Sequence, residues 1–253
     1  ALEKLNGWVK ARDASRQPAA MYAMGSLLLE KDDLSGAVKM AEEGLSKYPQ
    51  SLPAQIISLN TITVLLDKNR LQDAERLISK YPGSSPDLVF QQGALAFLKK
   101  DYSLAQKLFR EAARRASETT AENALFNENL AALNANDASG AAALIKEAAG
   151  SSRLRESILF EQAHYAAKRM APQAAELLAN FITLAETPAL KTQARLDQVE
   201  VALNLNPPDL ETVQAILPLL EKEQLSPEQT MQLARLNILE AESRQERSEE
   251  RRV

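Results

Sequence analysis

Five alanines recur through this chain at near-regular intervals: Ala37, Ala74, Ala105, Ala141 and Ala175, spaced by 37, 31, 36 and 34 residues. Twelve residues before each stands Gly25, Ile62, Gly93, Asn129 or Ala163. Four of these five are small or short, and Ile62 is the misfit. Two linked series of small residues constrain the fold strongly, because they require the same close crossing of two helices to recur along the chain. A period of about 30–40 residues predicts a helical solenoid, which is first of all a binding surface.

Apolar residues elsewhere follow helical steps of three and four, and no run of β-branched alternation suggests a strand. Prolines mark the joints: Pro18, Pro49, Pro53, Pro82, Pro86, Pro172, Pro188, Pro207, Pro208 and, after Ser226, Pro227. Pro218, inside Leu210–Glu221, is expected to kink or split its helix. Short polar joints (Lys31-Asp32-Asp33, Lys68-Asn69-Arg70, Lys100-Asp101 and Asn136-Asp137) force antiparallel neighbours. The expected fold is therefore all-α, a right-handed α-α solenoid of antiparallel helix pairs with about 13–14 helices. Residues 1–17 are expected to hold a capping helix near Leu2–Arg12, with Trp8 closing the first pair. Five pairs fill 18–186, degenerate pairs continue through 187–245, and the charged tail 246–253 is expected to fray.

These residues resemble the tetratricopeptide repeat. That family places a large residue, then Leu-Gly, then Tyr in the first helix, and Ala, Phe, Ala and a closing Pro in the second. The third repeat fits best, with Val89, Gln92-Gly93, Ala96, Tyr102, Ala105, Phe109 and Ala112. The first reads Met21, Met24-Gly25, Leu28, Ala37, Ala41 and Pro49. The second departs at Ile62, which implies a wider crossing or a register slip of one residue. Gly25 and Ala37 are expected at one helix crossing, and a bulky change at Gly93 or Ala105 overpacks the next.

In the family the first helices line a concave groove. Carried onto this chain, that geometry selects Tyr22, Leu59, Phe90, Phe126 and Phe160, with Ser26, Thr63, Ala94, Leu130 and His164 one turn on, and Phe97 beyond. The resemblance implies that an apolar or amphipathic segment of a partner protein binds there. Burial of the same column against neighbouring helices is the competing expectation. Family members that clamp a C-terminal carboxylate use Lys, Arg and Asn, whereas Tyr22, Ser26, Leu59 and Phe90 stand here.

Signs of catalysis are missing from the sequence. His164 is the sole histidine, read as packed or groove-lining, and no metal or cofactor site is expected. No glycine-rich phosphate loop or Gly-x-Ser-x-Gly elbow is present. There are no cysteines, hence no disulfide framework. A net charge of −4 argues against a dedicated nucleic-acid binder. Lys99, Lys100, Lys107, Arg110, Arg114 and Arg115 read as solvated outer surface. No apolar run is long enough to span a membrane, and no signal peptide is read. The start at Ala1 suits a processed or excised piece, in bacterial periplasm before cytoplasm.

The function expected is a non-enzymatic scaffold or adaptor that binds a protein or peptide segment. The resemblance implies assembly of a bacterial envelope complex such as a pilus, secretion, exopolysaccharide-export or cytochrome-maturation machine. The alternative is a helical module of a larger glycosyltransferase or murein hydrolase. Self-association through the end repeats is a further expectation.

Overall fold

A computed structural model describes residues 7–9 and 16–250, except for the side chains of 246–250. Among the described residues there are thirteen α-helices beyond the short helical stretch at 7–9, one 3-10 turn at Ala148–Gly150, and no strand. The helices are α1 (Gln17–Glu30), α2 (Leu34–Lys47), α3 (Leu52–Asp67), α4 (Leu71–Lys80), α5 (Pro86–Leu98), α6 (Tyr102–Arg115), α7 (Glu118–Asn134), α8 (Ala138–Glu147), α9 (Ser152–Lys168), α10 (Ala174–Leu184), α11 (Pro188–Leu203), α12 (Leu210–Leu220) and α13 (Pro227–Glu250). They form two compact units, Ala1–Asp137 and Ala138–Val253, so the division falls inside the fourth expected pair.

Within each unit a helix touches the next one and, for the first helices of pairs, the next but one: α1 meets α2 and α3, α3 meets α4 and α5, α9 meets α10 and α11, and α11 meets α12 and α13. The two classes of helix differ in sequence accordingly. α3 buries residues around much of its circumference, including Ala54, Ile57, Ser58, Thr61, Ile62, Leu65 and Leu66. Its partner α4 buries only Ala74 and Leu77 along one stripe. A helix apolar on several sides must be covered on several sides, whereas a single stripe leaves the opposite face to water. Starts differ too. Proline opens α1, α3, α5 and α11. Aspartate caps α2, α6 and α12, with the Asp33, Asp101 and Asp209 carboxylates accepting from the N–H groups of Gly36, Leu104 and Thr212 at 2.9, 3.1 and 3.1 Å.

Five helix ends share one geometry. Asp32, Asn69, Lys100, Asn136 and Met170 all have positive φ, between 50° and 65°. Their spacing of 37, 31, 36 and 34 residues repeats that of the alanines. In every case the left-handed residue donates its N–H three residues back and the following residue donates five back. At the first joint these bonds run from Asp32 to the Leu29 carbonyl at 3.0 Å and from Asp33 to that of Leu28 at 2.8 Å; the last repeats them at Met170 and Ala171. This is the Schellman ending, usually given to glycine, yet no joint here uses glycine. A side chain in this region costs roughly 1–2 kcal/mol, and asparagine tolerates it best. Lys100→Gly and Met170→Gly are therefore expected to stabilise their units by about 0.5–1 kcal/mol, after allowing for the looser unfolded chain. Asn69→Gly should gain less. Thermal melts of the three variants give the ranking, and an unchanged or lower Tm at Lys100 would contradict it.

The alanine series is buried at Ala37, Ala74, Ala105 and Ala141, and all five of its partners are buried. Two expectations need correction. Ala175 is exposed, and its neighbour Ala174 takes the buried place beside Leu178 and Phe181. Gly25 does press against a helix, but that helix is the first of the next pair: a Cβ on Gly25 would lie 2.5 Å from Ile57 Cγ1, with Met40 farther off at 3.7 Å. Gly93 makes the crossing within its own pair, where a Cβ would lie 2.8 Å from the ring of Phe109.

Ile62 keeps its register, since Asn69 follows it by the seven residues that separate Gly25 from Asp32 and Gly93 from Lys100. It is fully buried among Val38, Leu45, Leu65, Leu77 and Leu88. The sixth pair breaks the pattern at its joint, which runs to six residues between α11 and α12. Val213 is buried there, four residues after its aspartate cap, as Ala37 is after Asp33. Pro218 does not split α12, which continues two residues beyond it. Helix α13 takes in the backbone of most of the tail expected to fray. The N-terminal capping helix falls largely outside the described residues. Trp8, within them, is exposed and does not bury itself on the first pair.

Candidate functional site

The first helices of the first unit carry the residues expected to line a groove. Contacts join α1 to α3, α3 to α5 and α5 to α7, so the column Tyr22, Leu59, Phe90 and Phe126 runs over neighbouring elements. None of the four is fully buried, and Tyr22 is 37% exposed. Phe97 and Leu130 are also half-buried. Leu59 leans on the core around Ile62 and Leu65. Phe90 leans on Phe109, with ring centroids 5.4 Å apart, and Phe97 meets the edge of Tyr102 at 5.3 Å. Ile56, one turn before Leu59, is exposed as well, a residue sequence reasoning passed over. Between the columns the Gln91 amide donates to the Thr63 hydroxyl at 2.9 Å.

In the second unit the corresponding aromatic residue is buried. Phe160 is 8% exposed and belongs to the core with Ala163, Leu178 and Phe181. Its ring lies 5.5 Å from Phe181 on one side and stacks on His164 at 5.4 Å on the other. One of the expected groove residues, Phe160, is thus spent on packing α9 against α10 and α11, while His164 remains partly exposed. The reason is local composition: α11 offers Ala194 and Val201 to cover Phe160, and an aspartate to hold the imidazole.

That aspartate, Asp197, is the residue sequence reasoning missed. It is buried, and its two oxygens are both engaged. Oδ2 lies 2.5 Å from His164 Nδ1. Oδ1 accepts from the Gln193 amide at 3.2 Å and sits 3.8 Å from Lys168 Nζ. Lys168 also reaches Glu200 at 3.2 Å, and Gln193 bonds to Gln232 on α13 at 3.1 Å. The hydrogen bond to Asp197 raises the pKa of His164 above the usual histidine value, against the opposing pull of burial. Burial likewise raises Glu161, partly offset by the nearby His164 charge. The arrangement is a polar tie between three first helices, α9, α11 and α13, in which each carboxylate oxygen of Asp197 already has a partner.

Three of the six basic residues around α6 are paired with carboxylates. Arg110 Nε donates to Glu128 on α7 at 2.7 Å, and Glu128 is buried. Lys99 meets Glu75 at 2.7 Å, and Arg115 bonds to Glu111 at 2.7 Å and to Ser84 Oγ at 3.0 Å. On the other second helices, Glu42 takes Arg76 at 2.9 Å and Lys80 at 3.0 Å. Partial burial would raise the Glu42 pKa, but hydrogen bonds from these two cations outweigh it and hold the group below its usual value.

Among the described residues no group of three or more His, Cys, Asp or Glu is placed to hold a metal ion, and no helix is long and apolar enough to cross a membrane. Compared with known protein families, curated proteins and solved structures, the chain matches none.

Proposed function

We propose that this chain is a non-enzymatic interaction scaffold, a tetratricopeptide-like solenoid whose first unit holds a segment of a partner protein along its first helices. The observation that carries the proposal is the partly exposed state of Tyr22, Leu59, Phe90 and Phe126, at one position in four successive first helices of the first unit, with Ile56 exposed beside them. A row of apolar side chains left open to water usually marks a contact surface. The recurrent left-handed joint supports the repeat reading, because it sets successive helix pairs up alike. A partner helix with anchors three, four and seven residues apart suits such a row.

The test is capture of the partner followed by cross-linking mass spectrometry and variant binding. Cross-links should gather near α1, α3, α5 and α7, and Tyr22→Asp with Phe126→Asp should weaken binding at least tenfold while the helical circular dichroism is retained. Cross-links confined to outer lysines such as Lys107 would sink the proposal. So would loss of helical signal in the double variant, because the column would then be core.

A further inference from the structure

Helix α13 has two apolar faces, and the described residues cover only one. Leu233 and Leu236 point into the core that α11 and α12 share with it. On the opposite side Met231, Ala234, Ile238 and Ala241 recur at steps of three, four and three, which places them on one stripe. All four are exposed, Met231 at 74% and Ile238 at 61%. The helix is 24 residues long, and Ile238 sits at its midpoint.

We propose that this stripe pairs two copies of the chain through antiparallel contact of their α13 helices, centred on Ile238. The stripe is self-complementary in that arrangement. Ile238 meets Ile238 of the second copy on the two-fold axis, and Ala234 of each copy comes within one residue, about 1.5 Å along the axis, of Ala241 of the other, so small residues flank the central pair and let the backbones approach. Charge agrees with the register. Arg235 and Glu242 lie on the same flank of the stripe, one three residues before Ile238 and the other four after. Antiparallel pairing about that centre therefore brings Arg235 of each copy to Glu242 of the other, twice per dimer. Within the chain Arg235 is exposed and makes only a long 3.7 Å contact with Glu200. Pairing centred on the midpoint also overlaps α13 over its whole length, about 36 Å at 1.5 Å per residue. In a parallel two-fold pair the flank that carries Arg235 and Glu242 faces the other flank of the second copy, so this exchange is lost. One helix pair lies at the low end of interface sizes, so the dimer is a concentration-dependent one.

Sedimentation velocity of the full chain from low micromolar to near-millimolar concentration tests this. The expected result is a monomer–dimer shift that stops at two copies. Ile238→Glu should abolish it while leaving the circular dichroism and Tm unchanged, since the residue faces away from the core. Arg235→Glu and Glu242→Arg should each weaken pairing roughly tenfold, and the double swap should restore it. A chain monomeric at every concentration overturns the proposal, as does a dimer indifferent to Ile238→Glu or a double swap that fails to recover. Growth beyond two copies would also overturn it, because an isologous contact closes on itself.

Discussion

Phe109→Ala lowers the stability of the first unit by about 3–5 kcal/mol, the usual range for emptying a large buried aromatic site. The ring is fully buried between Gly93 of α5 and the tilted ring of Phe90, close to Ala105 and Ala131. Removing it leaves a hole that helices pinned by short joints cannot close. Hydrogen exchange in residues 17–134 should quicken, while exchange in the second unit is unchanged. The same geometry fixes a coupling. Gly93→Ala alone costs about 1–3 kcal/mol, because the added Cβ would meet ring carbons 2.8 Å away. In the Phe109→Ala background the methyl enters the vacated space, and the cost should vanish. A double-mutant cycle reads this directly. Strictly additive effects would show that Gly93 is not small on account of Phe109.

Asp197→Ala is the second large effect, about 3 kcal/mol in the second unit. Removing one partner of a buried ion pair leaves the others uncompensated, and here His164, Gln193 and Lys168 all lose a contact. The cost sits low in the usual range because Lys168 is half in water and keeps Glu200. The pair also makes stability depend on pH. The folded-state pKa of His164 lies above its ordinary value of 6.5, so its contribution is complete below 6.5 and is lost as pH rises through the raised value. Glu161, raised from 4.5 by burial, acts with the same sign in a lower window. Stability of the wild-type second unit towards denaturation should therefore fall as pH rises above 6.5. Asp197→Ala should flatten that slope, and the His164 titration followed by NMR should move down. An unaltered slope would mean that the hydrogen bond to Asp197 does not hold the proton.

The parts of this fold that sequence makes legible are those set by local spacing. Four of the five spaced alanines and all of their partners are buried, and the same spacings reappear in the left-handed joints. Legibility fails where two residues could fill one role. Ala174 and Ala175 stand side by side, and only packing on Leu178 and Phe181 selects the first. It fails again at the sixth pair, where Val213 replaces alanine and a longer joint shifts the offset. The column Tyr22, Leu59, Phe90 and Phe126 could be placed on helices from sequence. That Phe160 leaves it depends on Ala194, Val201 and Asp197, more than thirty residues away. The polar tie was invisible for the same reason. His164 with Lys168 and Gln193 with Asp197 stand four apart on their helices, but nothing in the spacing joins these pairs to each other or to Gln232 until three helices bring them together.

The five left-handed joints have an evolutionary consequence. Each is held by backbone bonds at fixed offsets and filled by Asp, Asn, Lys or Met without glycine. Such a joint is fixed in length and free in letter. Substitution can pass through it at modest cost, whereas inserting or deleting one residue would break the bond that closes the helix and rotate the next helix off its partner.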